Sequence, residues 1–157
     1  MRILIALLAL LLVACGNNAV APDAAGVPLA FGLVSFSSKA DVLDTFAKGH
    51  RTELIEDSSL GPNDARPPYS VYTIEVLGIA HSGKPGRVLL SFFNDRLMGV
   101  WFYPDNVSAY RAAMQAGNDV DRHVVSWAAE DYRGHWYVAW EDKRLRDAMD
   151  DWIQRYS

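Results

Sequence analysis

The sequence predicts an α+β domain in which an antiparallel sheet, built as a meander plus a hairpin, is packed by about three helices lying on one of its faces. Three observations carry that expectation. Strand-type alternation runs in short segments between tight turns from Val71 to Tyr103, and again from Arg122 to Trp140. Helical spacing of apolar residues is confined to three stretches that interleave with those strands. The chain has 157 residues, 50% of them hydrophobic and 11% aromatic, which suits one domain with one core. A helix, strand, meander, helix, hairpin and helix in that order favour an antiparallel sheet with segregated helices.

The first helix is announced by Ser38-Lys39-Ala40-Asp41, a capping-box pattern in which Ser38 accepts from the backbone and Asp41 reaches back. Val42, Leu43, Phe46 and Ala47 fall on one helical face, and Gly49 is a natural stop. Thr52 to Glu56 reads as a short strand. Residues 57–69 read as a loop, because Gly61-Pro62-Asn63 and Pro67-Pro68 disfavour helix around them.

From Val71, Tyr72, Ile74 and Val76 alternate with Thr73 and Glu75 as a half-buried strand. His81 to Gly86 reads as a turn, Val88 to Phe93 as a strand, Asn94-Asp95-Arg96 as a tight turn, and Leu97 to Tyr103 as a third strand. Val88-Leu89-Leu90 and Trp101-Phe102-Tyr103 are apolar on both faces, which fits central strands.

Pro104-Asp105-Asn106 opens a helix carrying Val107, Tyr110 and Met114, with Gly117 as its stop. Arg122 to Ala129 and His135 to Trp140 form a hairpin around Glu130-Asp131-Tyr132-Arg133-Gly134. The last segment is an amphipathic helix with Leu145, Met149, Trp152, Ile153 and Tyr156 as its apolar stripe. Gly86 to Leu97 and Gly134 to Leu145 share a pattern at an offset of 48: glycine, strand, aromatic, polar turn, Arg-Leu. Two similar hairpins would produce such an echo.

Charge and cysteine content exclude several classes. A single cysteine rules out an intramolecular disulfide framework and any multi-cysteine zinc or iron–sulfur site. A net charge of −4 and a pI of about 5.5 argue against a nucleic-acid binder. No Gly-x-Ser-x-Gly, His-Glu-x-x-His or phosphate-loop motif occurs. The expectation is a protein that is not an enzyme and holds no cofactor or metal.

The N-terminus is the most specific stretch. Met1-Arg2 gives a short positive start, and Ile3 to Ala14 is an unbroken apolar run. The run is shorter than the about 20 residues a membrane-spanning helix needs, and it suits the core of a secretory signal of about 7–15 residues. It ends in Leu12-Val13-Ala14-Cys15, followed by Gly16-Asn17-Asn18. This resembles the lipobox of bacterial lipoproteins. The resemblance implies cleavage between Ala14 and Cys15, a diacylglycerol on the Cys15 sulfur and an acyl chain on the new amino terminus.

Two or three chains anchor stably where one does not. Gly16 after the cysteine, in place of the aspartate associated with inner-membrane retention, favours the periplasmic side of the outer membrane. Removing residues 1–14 takes away Arg2 and no acid, so the mature chain is more acidic than the whole. Residues 15–28 read as a lipidated flexible tether, with Gly, Pro and Ala in place of bulk. Fully extended they reach about 45 Å. Residues 29–157 are expected to form the single globular domain.

Candidate sites in that domain are few. His123 and His135 flank the second hairpin and could face each other near Glu130 or Asp131 as a weak metal or acid–base site. A solvated turn is the competing explanation. His50 lies beside the expected helix stop and His81 in a turn. Gly117-Asn118-Asp119-Val120-Asp121 resembles a calcium-loop opening without the later ligands, and reads as a helix-ending loop.

Trp127, Tyr132, Trp136, Tyr137 and Trp140 crowd into 14 residues. Trp136, Val138 and Trp140 share one strand face, which is expected to pack under the last helix. Trp127, Tyr132 and Tyr137 are then left as a possible interaction surface, since aromatic side chains are enriched at protein interfaces.

A helix leading into a three-stranded meander in a small lipoprotein is similar to the BamE-like outer-membrane assembly proteins and the related inhibitor-protein fold. The similarity runs from about Gly32 to Tyr103 and rests on organisation; the hairpin and helix after residue 117 depart from it. The lipid anchor and tether, the absence of catalytic motifs and the aromatic-rich hairpin lead to the expectation of a lipid-anchored envelope protein that works by protein–protein contact, as an accessory subunit of an assembly or secretion machine. The expected partners are the membrane, through Cys15, and a periplasmic or outer-membrane protein. A second expectation is an immunity or inhibitor lipoprotein whose acidity suits a cationic toxic enzyme. A third is a small periplasmic hydrolase using His123 or His135.

Overall fold

The computed structural model describes residues 24–114 and 121–157; residues 1–14, Cys15 and the calcium-loop-like segment 117–120 lie outside them. The fold is α+β. Among the described residues the elements run α1 Lys39–Thr45, β1 Thr52–Ser59, β2 Ser70–His81, β3 Lys84–Phe93, β4 Arg96–Pro104, α2 Val107–Ala113, β5 Val124–Glu130, β6 Trp136–Asp142 and α3 Lys143–Tyr156. The six strands make one open antiparallel sheet in the order β1-β2-β3-β4-β6-β5. The doubly apolar runs fall in β3 and β4, which have neighbours on both sides.

Turn chemistry sets the registers. Ser82-Gly83 (φ 50° and 71°) and Asn94-Asp95 (φ 46° and 63°) both take left-handed conformations, the type I′ geometry that matches strand twist. Two residues therefore suffice at the first turn. Lys84, Pro85 and Gly86, expected in that turn, already pair with His81, Ala80 and Ile79. β1 also runs three residues past Glu56, pairing Asp57, Ser58 and Ser59 with Tyr72, Val71 and Ser70.

Ser38 caps α1 as expected: its Oγ accepts from the Asp41 N–H at 3.1 Å and donates to the Asp41 carboxylate at 2.7 Å. Asn106 caps α2 in the same way, accepting from the Ala109 N–H at 2.9 Å. α2 ends at Ala113, before Gly117.

The helices do not share one face. Val42 of α1 and Tyr110 of α2 pack with Ile74, Val76, Val88, Leu90 and Phe102 in the larger core cluster. Leu145 of α3 packs with Val71, Phe93, Met98 and Phe36 in a second, smaller cluster. Val71 and Phe93 alternate with Ile74 and Leu90 along their strands, so α3 sits on the opposite face. The expectation that α3 covers Trp136 and Trp140 fails for the same reason. Those rings pack with the larger cluster, against Tyr110 and Phe31. On the face that α3 covers, Arg146 Nη1 lies 2.5 Å from Oε2 of the buried Glu141.

Residues 25–28, expected in the tether, pack into the domain. Val27 is buried, its N–H donates to Ser35 Oγ at 3.0 Å, and Pro28 bridges to Val34. The Ala25 carbonyl accepts from Arg144 at 3.1 Å. Packing of the small apolar residues around Gly26 brings this stretch into the domain; a Cβ on Gly26 would lie 2.1 Å from the Ser35 carbonyl oxygen.

Candidate interaction face

α3 covers only one end of its sheet face. Beyond it lies an aromatic cluster built from three strands, in which Trp101, Trp127 and Tyr137 are half-buried and Tyr103 is buried. Tyr137 of β6 stacks on Trp101 of β4 at 5.8 Å with planes 27° apart, and lies 5.2 Å from Tyr103. Strand alternation explains this company. Trp101 pairs with Ala139, so Trp101, Tyr103, Tyr137 and Ala139 all project to the same side. Trp127 of β5 also pairs with Ala139 and joins that side.

Charged groups hold the rings in place. Trp101 Nε1–H donates to Glu141 Oε1 at 2.9 Å. Glu141 is 2% exposed, and its other oxygen takes Arg146. Arg146 also lies 5.9 Å over the Trp127 ring. Arg87 lies 4.6 Å over Tyr103, and its Nε is 2.7 Å from Glu75 Oε1, an ion pair without an aligned hydrogen bond at that nitrogen. Burial first, then the nearby Asp131 charge, pushes the Tyr103 hydroxyl up to about 12, so it stays a neutral donor.

The three residues expected as a surface fall in related places. Trp127 and Tyr137 are half-buried on the same sheet face, and Tyr132, at the hairpin tip, is 88% exposed with Arg133 over its ring at 5.1 Å. Trp101, also half-buried, completes the surface, and Tyr103 is buried against Tyr137. Their apolar run Trp101-Phe102-Tyr103 was legible, but not which neighbour β4 would take; β6 beside β4 is a tertiary result.

His123 and His135 do not meet. His123 precedes β5 and His135 precedes β6, so the whole ladder from Val124↔Asp142 to Glu130↔Trp136 separates them. His123 Nε2 accepts from Arg122 Nε–H at 3.1 Å, while His135 Nδ1 lies 3.4 Å from Asp131. Among the described residues no group of three or more His, Cys, Asp or Glu is placed to hold a metal ion. Asp131 shapes the turn, its Oδ1 accepting from the N–H groups of Arg133 and His135 at 2.8 and 2.9 Å. Asp121 accepts from the His123 N–H at 2.8 Å.

The histidine that sequence reasoning missed is His81. Its ring lies among Phe31, Phe102, Tyr110 and Trp140, at 4.7 to 5.7 Å between centroids, with Nδ1 2.6 Å from Tyr110 Oη. Burial pushes His81 below its ordinary value and the Tyr110 hydroxyl up to about 12. A strand-ending histidine beside a turn carries no sequence signal for this packing, since Phe31, Tyr110 and Trp140 come from three other segments. A scan against protein-family models finds no match for this chain, and a search of curated proteins finds no relative.

Proposed function

We propose that this chain is a lipid-anchored protein of the bacterial envelope that acts by protein–protein contact, as an accessory subunit of an assembly or secretion machine. The lipobox-like Leu12-Val13-Ala14-Cys15 supports the anchor. The observation that carries the mode of action is the half-buried aromatic surface of Trp101, Trp127 and Tyr137, backed by the buried Tyr103, with Tyr132 88% exposed at the hairpin tip. Stacking and the Glu141–Arg146 and Glu75–Arg87 pairs hold these rings in fixed positions, so little side-chain entropy remains to be lost on docking. Rigid Trp and Tyr rings are the side chains that dominate binding energy at interfaces. Arg133 and His135 beside Tyr132 supply a polar rim.

Chemical cross-linking of intact envelopes followed by purification of the chain tests the reading. The expected result is one stoichiometric envelope protein, lost in the combined variant Tyr132→Ala, Tyr137→Ala. Recovery of none, or equal recovery with the variant, overturns it.

A further inference from the structure

Among the described strands, β1 is the one in which every residue is exposed. It forms the sheet edge opposite β5, and its outer side is a row of backbone groups with no strand beside it among the described residues. Leu54 and Ile55 are 54% and 51% exposed on it. Glu53, Glu56 and Asp57 enter no salt bridge among the described residues.

Glu53 does not stabilise the pairing of β1 with β2. Glu53 stands directly opposite Glu75, which Arg87 already neutralises, and like charges facing each other across strands destabilise the pairing. The register shift at Ile55 then places Glu56 opposite Thr73, so Glu53 and Glu56 point to the same face, while Leu54 and Asp57 point to the other. The outer edge thus presents two carboxylates on one side and an aliphatic followed by a carboxylate on the other. A second copy pairing edge to edge would set acid rows against each other, an arrangement that blocks self-association.

We propose that β1 is a strand-addition site for an extended cationic segment of another protein, one in which Lys or Arg alternates with apolar side chains. Backbone hydrogen bonds along the edge supply affinity, and the carboxylates select the sign of the partner. The site lies at the far edge of the sheet from the β5–β6 hairpin, so it stands independently of the aromatic face.

The test uses the purified full chain and a fluorescein-labelled peptide of alternating lysine and valine, with an alternating glutamate–valine peptide as comparison. The lysine peptide binds at least tenfold more tightly, the preference shrinks as salt rises, and amide exchange slows across residues 52–59. The combined variant Glu53→Lys, Glu56→Lys, Asp57→Lys, whose changes are all on exposed positions, keeps its circular dichroism and reverses the preference. Absence of binding, protection at β5 in place of β1, or an unchanged preference in the variant overturns the proposal. A concentration-dependent dimer of the unaltered chain that is lost in the variant also overturns it, and assigns the edge to a second copy. No envelope partner enters this assay, so its failure and failure of the cross-linking experiment are read separately.

Discussion

Asp142 shows how much one buried carboxylate can organise. It is fully buried, caps α3 by accepting from the Arg144 N–H at 2.9 Å, and accepts from the Arg144 guanidinium and the Ser35 hydroxyl at 2.6 Å each. Ser35 in turn accepts from the Val27 N–H, so a single side chain ties the N-terminal segment to the last helix. Asp142→Ala removes the α3 cap and leaves the buried Ser35 hydroxyl without its acceptor, while Arg144 stays partly in solvent, so the unfolding free energy is expected to fall by about 1–3 kcal/mol in urea titration. Ser35→Ala, which removes a neutral donor, is expected to lower it by about 1–3 kcal/mol.

The two residues also fix the response to pH. Burial opposes ionisation of Asp142, but the bonds from Arg144 and Ser35 outweigh it and hold the carboxyl below 3.8. Its contribution is therefore present above the unfolded value and lost as pH falls through the folded one. His81 has the same sign for a different reason. Burial holds it below 6.5, so the unfolded chain takes up the proton first. Stability from His81 is complete above about 6.5 and declines as pH falls toward the folded value. Melting temperatures between pH 7 and 5 should fall in the unaltered chain and flatten in His81→Gln.

At the scale of elements, close approach between strands separates glycines that look alike in the sequence. A Cβ on Gly86 would sit 2.3 Å from the Tyr103 carbonyl oxygen, whereas one on Gly61 meets nothing within 4 Å. Gly86→Ala should destabilise by about 1–3 kcal/mol, and Gly61→Ala by less than about 0.5 kcal/mol, in the same urea titration. The offset between Gly86 and Gly134 is not a structural repeat: Gly86 lies within β3 and Gly134 in a turn, and Asn94-Asp95 turns a hairpin where Asp142 caps a helix.

The loop before β2 is fastened to α3 rather than left free. Trp152 Nε1–H donates to the Pro67 carbonyl at 3.0 Å, Tyr69 packs on the Trp152 ring at 4.3 Å, and Arg66 donates to the Tyr156 carbonyl. Trp152→Ala removes the anchor, and limited proteolysis should then cut within residues 60–69 faster than in the unaltered chain.

For the whole molecule, the sheet divides its work. One face carries the larger core under α1 and α2; the other is capped at one end by α3 and elsewhere leaves the aromatic surface half-open. The two edges differ as well, β1 acidic and fully exposed, β5 continuing into the hairpin tip at Tyr132. The proposed role adds a lipid anchor at Cys15 to this body. Cys15→Ser should move the chain from the membrane fraction to the soluble fraction on cell fractionation, with an unchanged melting temperature for the domain. Retention in the membrane fraction would count against the lipid anchor.

What the sequence by itself determined was local. Ser38 as a cap, a helix start at Pro104-Asp105-Asn106, the tight turn at Asn94-Asp95, the amphipathic stripe of α3 and the strand periods of β2 to β6 each depend on residues a few positions apart, and all were legible. The fold class followed from their order. Only the tertiary structure decided which face α3 covers, that β6 inserts between β4 and β5, and that His81 rather than His123 or His135 joins an aromatic cluster. Those outcomes turn on pairs such as Ser35–Asp142 and Trp101–Glu141, distant along the chain. A carboxylate's partner across the sheet is chosen by the energy of burying it paired rather than alone, and no local pattern records that choice.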